Sequence, residues 1–236
     1  MDRRALLLGP LPAVVLVGCG ATSVAQEQSD GPSPDTTLED GARETVTAAD
    51  ADTLPPEEPI TVPLTLYLMH DAVDGTASPL SSQRTEEGLA VIAEDMGGVW
   101  AQANVVFDPV NVETIEVPTD VLEGIALGLD TSRFFDQVGV TFDIPNAAAV
   151  NGFYVRAAGR VNGFAPSGSR VFFVIDEPSV HDERVSSHEV GHIFGLHHQL
   201  VDPGTLMFSG TNGTVLTEDE IVVARYAAQG VLDGVR

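Results

Sequence analysis

The chain has 236 residues, enough for one domain of ordinary size and a tail. Apolar residues make up 43% of it, sufficient for a packed core, and the single cysteine, Cys19, excludes a disulfide framework and a thiolate zinc site. A formal net charge of −24, with every basic residue an arginine, repels phosphate backbones and sets nucleic-acid binding aside. A salty habitat or a GC-rich genome also produces such a composition, so the acidity needs no part in substrate choice.

Residues 1–19 read as an export signal. Arg3 and Arg4 supply the positive start, and Ala5 to Gly18 is an apolar run broken by Pro10 and Pro12. That run is too short to span a bilayer as a helix. It ends Leu16-Val17-Gly18-Cys19, which resembles the lipobox of prokaryotic lipoproteins. The resemblance implies cleavage before Cys19 and a lipid on its sulfur. A plain secretory signal with an incidental cysteine is the alternative. Arg3-Arg4 ahead of Ala5-Leu6-Leu7-Leu8 leaves the general and twin-arginine routes both open. Residues 20–60 carry ten acids against one base, Arg43, and no apolar periodicity. They read as a solvated tether between membrane and domain. The expected location is the cell surface or periplasm, anchored by lipid.

The folded domain is expected over residues 61–236, divided into an upper part, 61–195, and a lower part, 196–236. Thr61 to Met69 alternates around Val62, Leu64, Leu66 and Leu68, the pattern of a strand. His70 at its end reads as a surface or edge residue. Leu89, Ile92, Ala93, Met96, Val99, Trp100 and Ala103 fall at helical spacing, predicting a helix from about Ser82 to Ala103. Its Trp and Met read as core. Asn104–Phe107 and Val110–Val117 are strand material, with Pro109 as a break. Two short helical patterns follow, near Val121–Leu129 and Ser132–Val138. Gly152–Arg156 predicts a strand, and Val161–Pro166 a loop or irregular edge strand. The apolar run Val171–Asp176 suits a buried central strand. This order implies a mixed α/β layer with a later helix packed on the sheet.

That later helix carries the chemistry. It is expected from near Asp182 or Glu183, where acids favour a helix start, with Val185, Val190, Ile193, Phe194 and Leu196 as buried contacts. His188 and His192 lie one turn apart and can aim at one ion. Gly195 falls where the helix should end, and the turn it permits could bring His198 to the same ion. His197 is a competing ligand that the spacing disfavours. Three nitrogen ligands with an open fourth position describe a catalytic zinc site. Glu189, beside the first histidine, can lean over a water there and act as general base. His181 and Asp176 lie upstream in a loop and read as surface residues, with support of the ligands from behind as the alternative.

His188-Glu189-x-x-His192-x-x-Gly195-x-x-His198 resembles the metzincin clan of zinc endopeptidases, whose pattern it matches without a gap. The resemblance implies an α+β fold: a twisted, mixed, mostly parallel sheet, a long helix, an active-site helix and a small C-terminal subdomain. It also implies that Met207, in Thr205-Leu206-Met207-Phe208, is the methionine of a tight turn beneath the metal. An antiparallel edge strand, here Val161–Ser169, would take the substrate as an added strand. Phe208–Leu216 would wall the pocket for the residue after the cleaved bond. A last helix would begin at Thr217, with Glu220 closing a capping box and Ile221, Val222, Ala224, Arg225 and Ala228 packing under the site. Gln199 and Ser209 depart from the family's subfamily marks: where some members place a zinc-binding tyrosine, this chain has Ser209. Asn212-Gly213-Thr214 reads as a glycosylation sequon or as a turn.

The expected activity is therefore zinc-dependent hydrolysis of peptide bonds, by a monomer whose partners are a peptide or protein substrate and the membrane. Zn²⁺ is the expected cofactor, and no feature calls for calcium. A non-catalytic or zinc-binding surface lipoprotein on the same fold is the alternative.

Overall fold

The strand predicted at Thr61 to Met69 forms the spine of the structure. In the computed structural model, which describes residues 16–20, 58–72, 77–128 and 149–233, strand β2 runs Ile60–His70. Its alternation divides two cores. Leu64, Leu66 and Leu68 face one, and Tyr67 and Met69 face the other. The sheet order is β1-β5-β6-β4-β2-β3, with β1 Leu16–Gly20, β3 Val105–Glu116, β4 Val150–Val155, β5 Val161–Pro166 and β6 Val171–Ile175. Strands β6, β4, β2 and β3 are parallel. Strand β5 runs against β6, and β1 runs against β5. This is a mixed, mostly parallel sheet.

Among the described residues, four helices cover it: α1 Glu86–Trp100, α2 Thr119–Ala126, α3 Asp182–Ile193 and α4 Glu218–Leu232. Residues of α1, α3 and α4 share the core that holds Leu64 and Phe172. Helix α2 packs on the other face, with Phe153 and Phe173. Trp100 and Met96 are fully buried, and the Trp100 ring meets Phe194 edge-on at 5.0 Å. That contact ties α1 to the end of α3. Helix α4 starts on the expected capping box: Thr217 Oγ1 accepts from Glu220 N at 3.2 Å, and Thr217 N donates to Glu220 Oε2 at 2.8 Å.

Three local readings are corrected. Helix α1 begins at Glu86 rather than near Ser82, because Thr85 caps it by accepting from Gly88 N. The residues before it are drawn elsewhere: Ser82 Oγ and Gln83 N both donate to the Asp176 carboxylate at 2.7 Å. Pro109 does not break β3. Pairing passes from Val62–Phe107 to Leu64–Val110, so Pro63 and Pro109 share one irregularity in the ladder. An edge strand tolerates a missing N–H there. Asp176 is not a surface residue. Its side chain is 3% exposed and takes Arg84 and Arg156 as ion-pair partners. Arg84 also reaches Asp182 at 2.6 Å, joining the ends of β6 and α1 to the start of α3.

Residues 1–15, the tether over 21–57 and the helical pattern at Ser132–Val138 lie outside the described residues. Among those described, no helix is long and apolar enough to cross a membrane.

A surface aspartate replaced by alanine changes stability by about 0.5 kcal/mol or less, whereas stripping a buried, paired carboxylate costs about 3 kcal/mol. Asp176→Ala is expected to show the larger loss in urea denaturation.

Candidate metal centre

Helix α3 owes little to its own sequence. No side chain caps His181 at its start, although Asp182 and Glu183 favour the first turn. It buries polar residues Arg184, Ser186, Ser187, His188 and Glu189 beside apolar Val185, Val190 and Ile193. The packing of α1, β5 and β6 around it supplies the difference. Tyr154 on β4 meets Ser186 at 2.8 Å, and Ser186 Oγ donates back to the Asp182 carbonyl.

The helix ends in a Schellman turn. Gly195 has φ +82°, Gly195 N donates to His192 O at 3.1 Å, and Leu196 N donates to Gly191 O at 2.8 Å. A β-carbon at Gly195 would be strained in that conformation. The turn sends the chain back along the helix and brings in His198.

His188, His192 and His198 form a cluster in which one nitrogen from each lies within 4.8 Å of the others. His198 Nε2 is 3.1 Å from both His192 Nε2 and His188 Nε2. Nitrogens bound tetrahedrally to one zinc at about 2.0–2.1 Å stand roughly 3.3 Å apart, so the spacing suits a shared ion. The tautomers agree. His188 Nδ1 lies 2.7 Å from Leu206 O, and His192 Nδ1 lies 2.9 Å from Leu196 O. A carbonyl only accepts, so both Nδ1 atoms carry the proton and both Nε2 atoms present a lone pair. With the Nε2 lone pairs of His188 and His192 turned to His198 Nε2 at 3.1 Å, a ring nitrogen from each histidine is available to one cation. His197 is exposed and outside the cluster, and the side chain of His181 is 67% exposed.

Glu189 is fully buried. It lies against β5: a β-carbon placed on Gly163 would sit 3.0 Å from Glu189 Oε1. Glycine at 163 is what makes room for the carboxylate beside the strand. Met207 is fully buried in the tight turn Thr205–Phe208, and its sulfur packs against Gly191 of α3. Gln199 N donates to Met207 O, and Leu206 N to Val215 O. Asn212 Oδ1 accepts from His181 N at 2.8 Å, tying the segment after the turn to the head of α3.

The sequence reading passed over two contributors. One is Gly163, whose role depends on a helix from elsewhere in the chain. The other is Arg184, 2% exposed, whose Nη2 donates to Leu206 O at 2.9 Å and to Phe208 O. Its i, i+4, i+8 spacing with His188 and His192 was the available signal.

Burial is the main force on the histidines. It pushes His188 down to about 2 and His192 to about 4, and it also lowers His198. The neighbouring Arg184 charge acts in the same direction on all three. Neutral imidazoles are the metal-binding form.

No family model matches this sequence, and no curated protein matches it. Solved structures do. Archaemetzincin from Methanopyrus kandleri is 15% identical, over 77% of this chain and 99% of that one, at a TM-score of 0.42. Metalloproteinase-II from Bacteroides fragilis is 11% identical, over 76% of this chain and 60% of that one, at a TM-score of 0.48.

The depressed histidines set the sign of the pH response. The unfolded chain binds protons below the ordinary value of 6.5, and the folded site refuses them. Stability of the metal-free protein is therefore full above that value and lost as pH falls toward about 4 and below. Thermal denaturation of the metal-free protein should give a falling Tm from about pH 7 to about pH 5, while the folded protein keeps its zinc over that range because its histidines stay neutral there. A flat Tm, unchanged by His188→Ala, would mean the rings are not desolvated as described.

Proposed function

We propose that this domain is a zinc-dependent endopeptidase of metzincin type. The observation that carries the reading is the convergence of three histidine Nε2 atoms, with the Glu189 carboxylate buried on the same helix against strand β5. His188, His192 and His198 would hold the ion. Zinc there supplies a Lewis acid for the peptide carbonyl and acidifies a water, to a pKa of roughly 7.

The chain's own groups do the rest. Two main-chain carbonyls keep His188 and His192 in the Nδ1–H tautomer, so their Nε2 atoms stay available. Glu189 accepts the water's proton on its carboxylate and returns it to the nitrogen of the departing amine. Burial excludes competing solvent from that carboxylate. Strand β5 is the lane for substrate. In this structure Leu16–Gly20 already lies on it antiparallel, Leu16 opposite Pro166 and Gly18 opposite Phe164. An extended peptide would take the place of Leu16–Gly20 on that edge through main-chain hydrogen bonds. Its backbone then passes Gly163 and Glu189. The segment Phe208–Leu216, anchored by Arg184 and by His181 N on Asn212, would flank the residue after the cleaved bond.

The protein would work outside the cell membrane as a monomer, lipid-anchored at Cys19 and tethered by residues 20–60. The four-residue lipobox pattern and the acidic composition support that placement.

Glu189→Ala should keep about one zinc per chain and lose roughly 10²–10⁴-fold in peptide cleavage. Chelation should abolish cleavage by the wild type. Zinc retained with wild-type cleavage in the variant would remove Glu189 from the mechanism. Zinc retained with no cleavage by the wild type across a broad peptide mixture would favour the binding-protein alternative.

Labelled palmitate fed to expressing cells should enter the wild type and not Cys19→Ala. Equal labelling, or none in either, would reject the anchor.

A further inference from the structure

Arg184 is a charged residue with almost no solvent contact, and beyond anchoring the segment after the turn it has no step in the hydrolytic mechanism. It stands one turn before His188 on the same face of α3, within the first turn of the helix. One amino group, Nη2, sends its hydrogens to two carbonyls, Leu206 O at 2.9 Å and Phe208 O. These carbonyls flank Met207. Leu206 O also accepts from His188 Nδ1 at 2.7 Å, so both of its lone pairs are used.

We propose that Arg184 is a positioning residue of the metal centre: it clamps the carbonyls of the two residues that flank Met207 and so holds the ring of His188 in its ligating orientation. The geometry of the clamp is independent of the zinc reading, and its consequence for metal retention rests on that reading. Turn carbonyls have no partner in a regular ladder, and leaving them bare inside the protein is costly. A charge-assisted donor in a dry site holds them more tightly than a neutral one. Without Arg184, the Leu206 peptide would keep two anchors. One is its N–H on Val215 O, and the other is His188 itself. Ring and turn could then swing together, with no charge-assisted bond left between the helix and the carbonyls that flank Met207. Lysine at 184 would restore the charge but not a planar fork aimed at two carbonyls.

The test begins with the wild-type chain, metal-free, by ¹⁵N NMR. The Arg184 guanidinium should show slow rotation and distinct Nη–H signals, and His188 a single Nδ1–H tautomer. A freely averaging guanidinium or a mixed tautomer overturns the clamp. Zinc release to a chelator is then timed for Arg184→Met and Arg184→Lys. Loss of an outer partner of a ligating histidine typically costs 10–100-fold in metal affinity. Release should therefore quicken about tenfold or more in Arg184→Met, with Arg184→Lys in between. Wild-type release from either folded variant, with His188 still in one tautomer, overturns the proposal. If Arg184→Met does not fold, Arg184→Lys and the wild-type spectra decide it. Failure of the endopeptidase reading looks different: the wild type would cleave nothing while clamp and release rates behave as stated.

Discussion

A set of histidines is ready for a metal only if each ring is held to one face and one tautomer, and here main-chain carbonyls impose that constraint. Leu206 O fixes His188 and Leu196 O fixes His192. Both carbonyls belong to chain that follows the site helix, so the helix alone does not define the site. The return of the chain at Gly195 and the tight turn around Met207 are conditions for the tautomers, and hence for any metal chemistry. The Schellman turn serves twice. It ends α3 and places the Leu196 carbonyl where His192 needs it.

The same constraint explains the seating of α3. Each buried polar group left without a partner costs about 1–3 kcal/mol, and α3 buries several. Apolar burial of Val185, Val190, Ile193 and Phe194 contributes about 1.5–3 kcal/mol per side chain and offsets part of that. Polar partners from other elements offset more of it. Ser186 takes Tyr154, His188 takes Leu206 O, and Arg184 takes the turn. At its head, Asp182 is held by Arg84, which also donates to the carbonyls of Ile175 and Asp176. A rigid parallel sheet beneath the helix lets these contacts hold their geometry, because β4 and β6 carry their inward residues fully buried.

What was legible in the sequence follows from how local each feature is. The ligand spacing was readable because one helix and one glycine turn carry all three histidines. Alternation along β2 and the capping box of α4 were readable for the same reason. Arg184 was not. Beside Asp182 and Glu183 it reads as solvated charge, and its partners are backbone oxygens 22 and 24 residues away. Backbone acceptors have no letter in a sequence. Asp176 was misread likewise, since its donors Ser82 and Gln83 lie 94 and 93 residues earlier. Pro109 misled because a strand-breaking rule presumes an unbroken ladder, and here Pro63 shares the interruption.

Glu189 shows how these constraints join. Successive residues on a helix are turned by about 100°, so when His188 faces the cluster, Glu189 must face aside. On this fold the side it faces is β5, the strand that takes an extended chain along its edge. The carboxylate therefore lies against β5, on the helix that carries the first two histidines. A side chain at 163 would close that gap, meeting the Phe173 carbonyl at 2.8 Å as well as Glu189. Strand order, helix phase and one missing β-carbon thus place a buried carboxylate on the helix of the histidine cluster, against a strand whose other edge pairs with Leu16–Gly20.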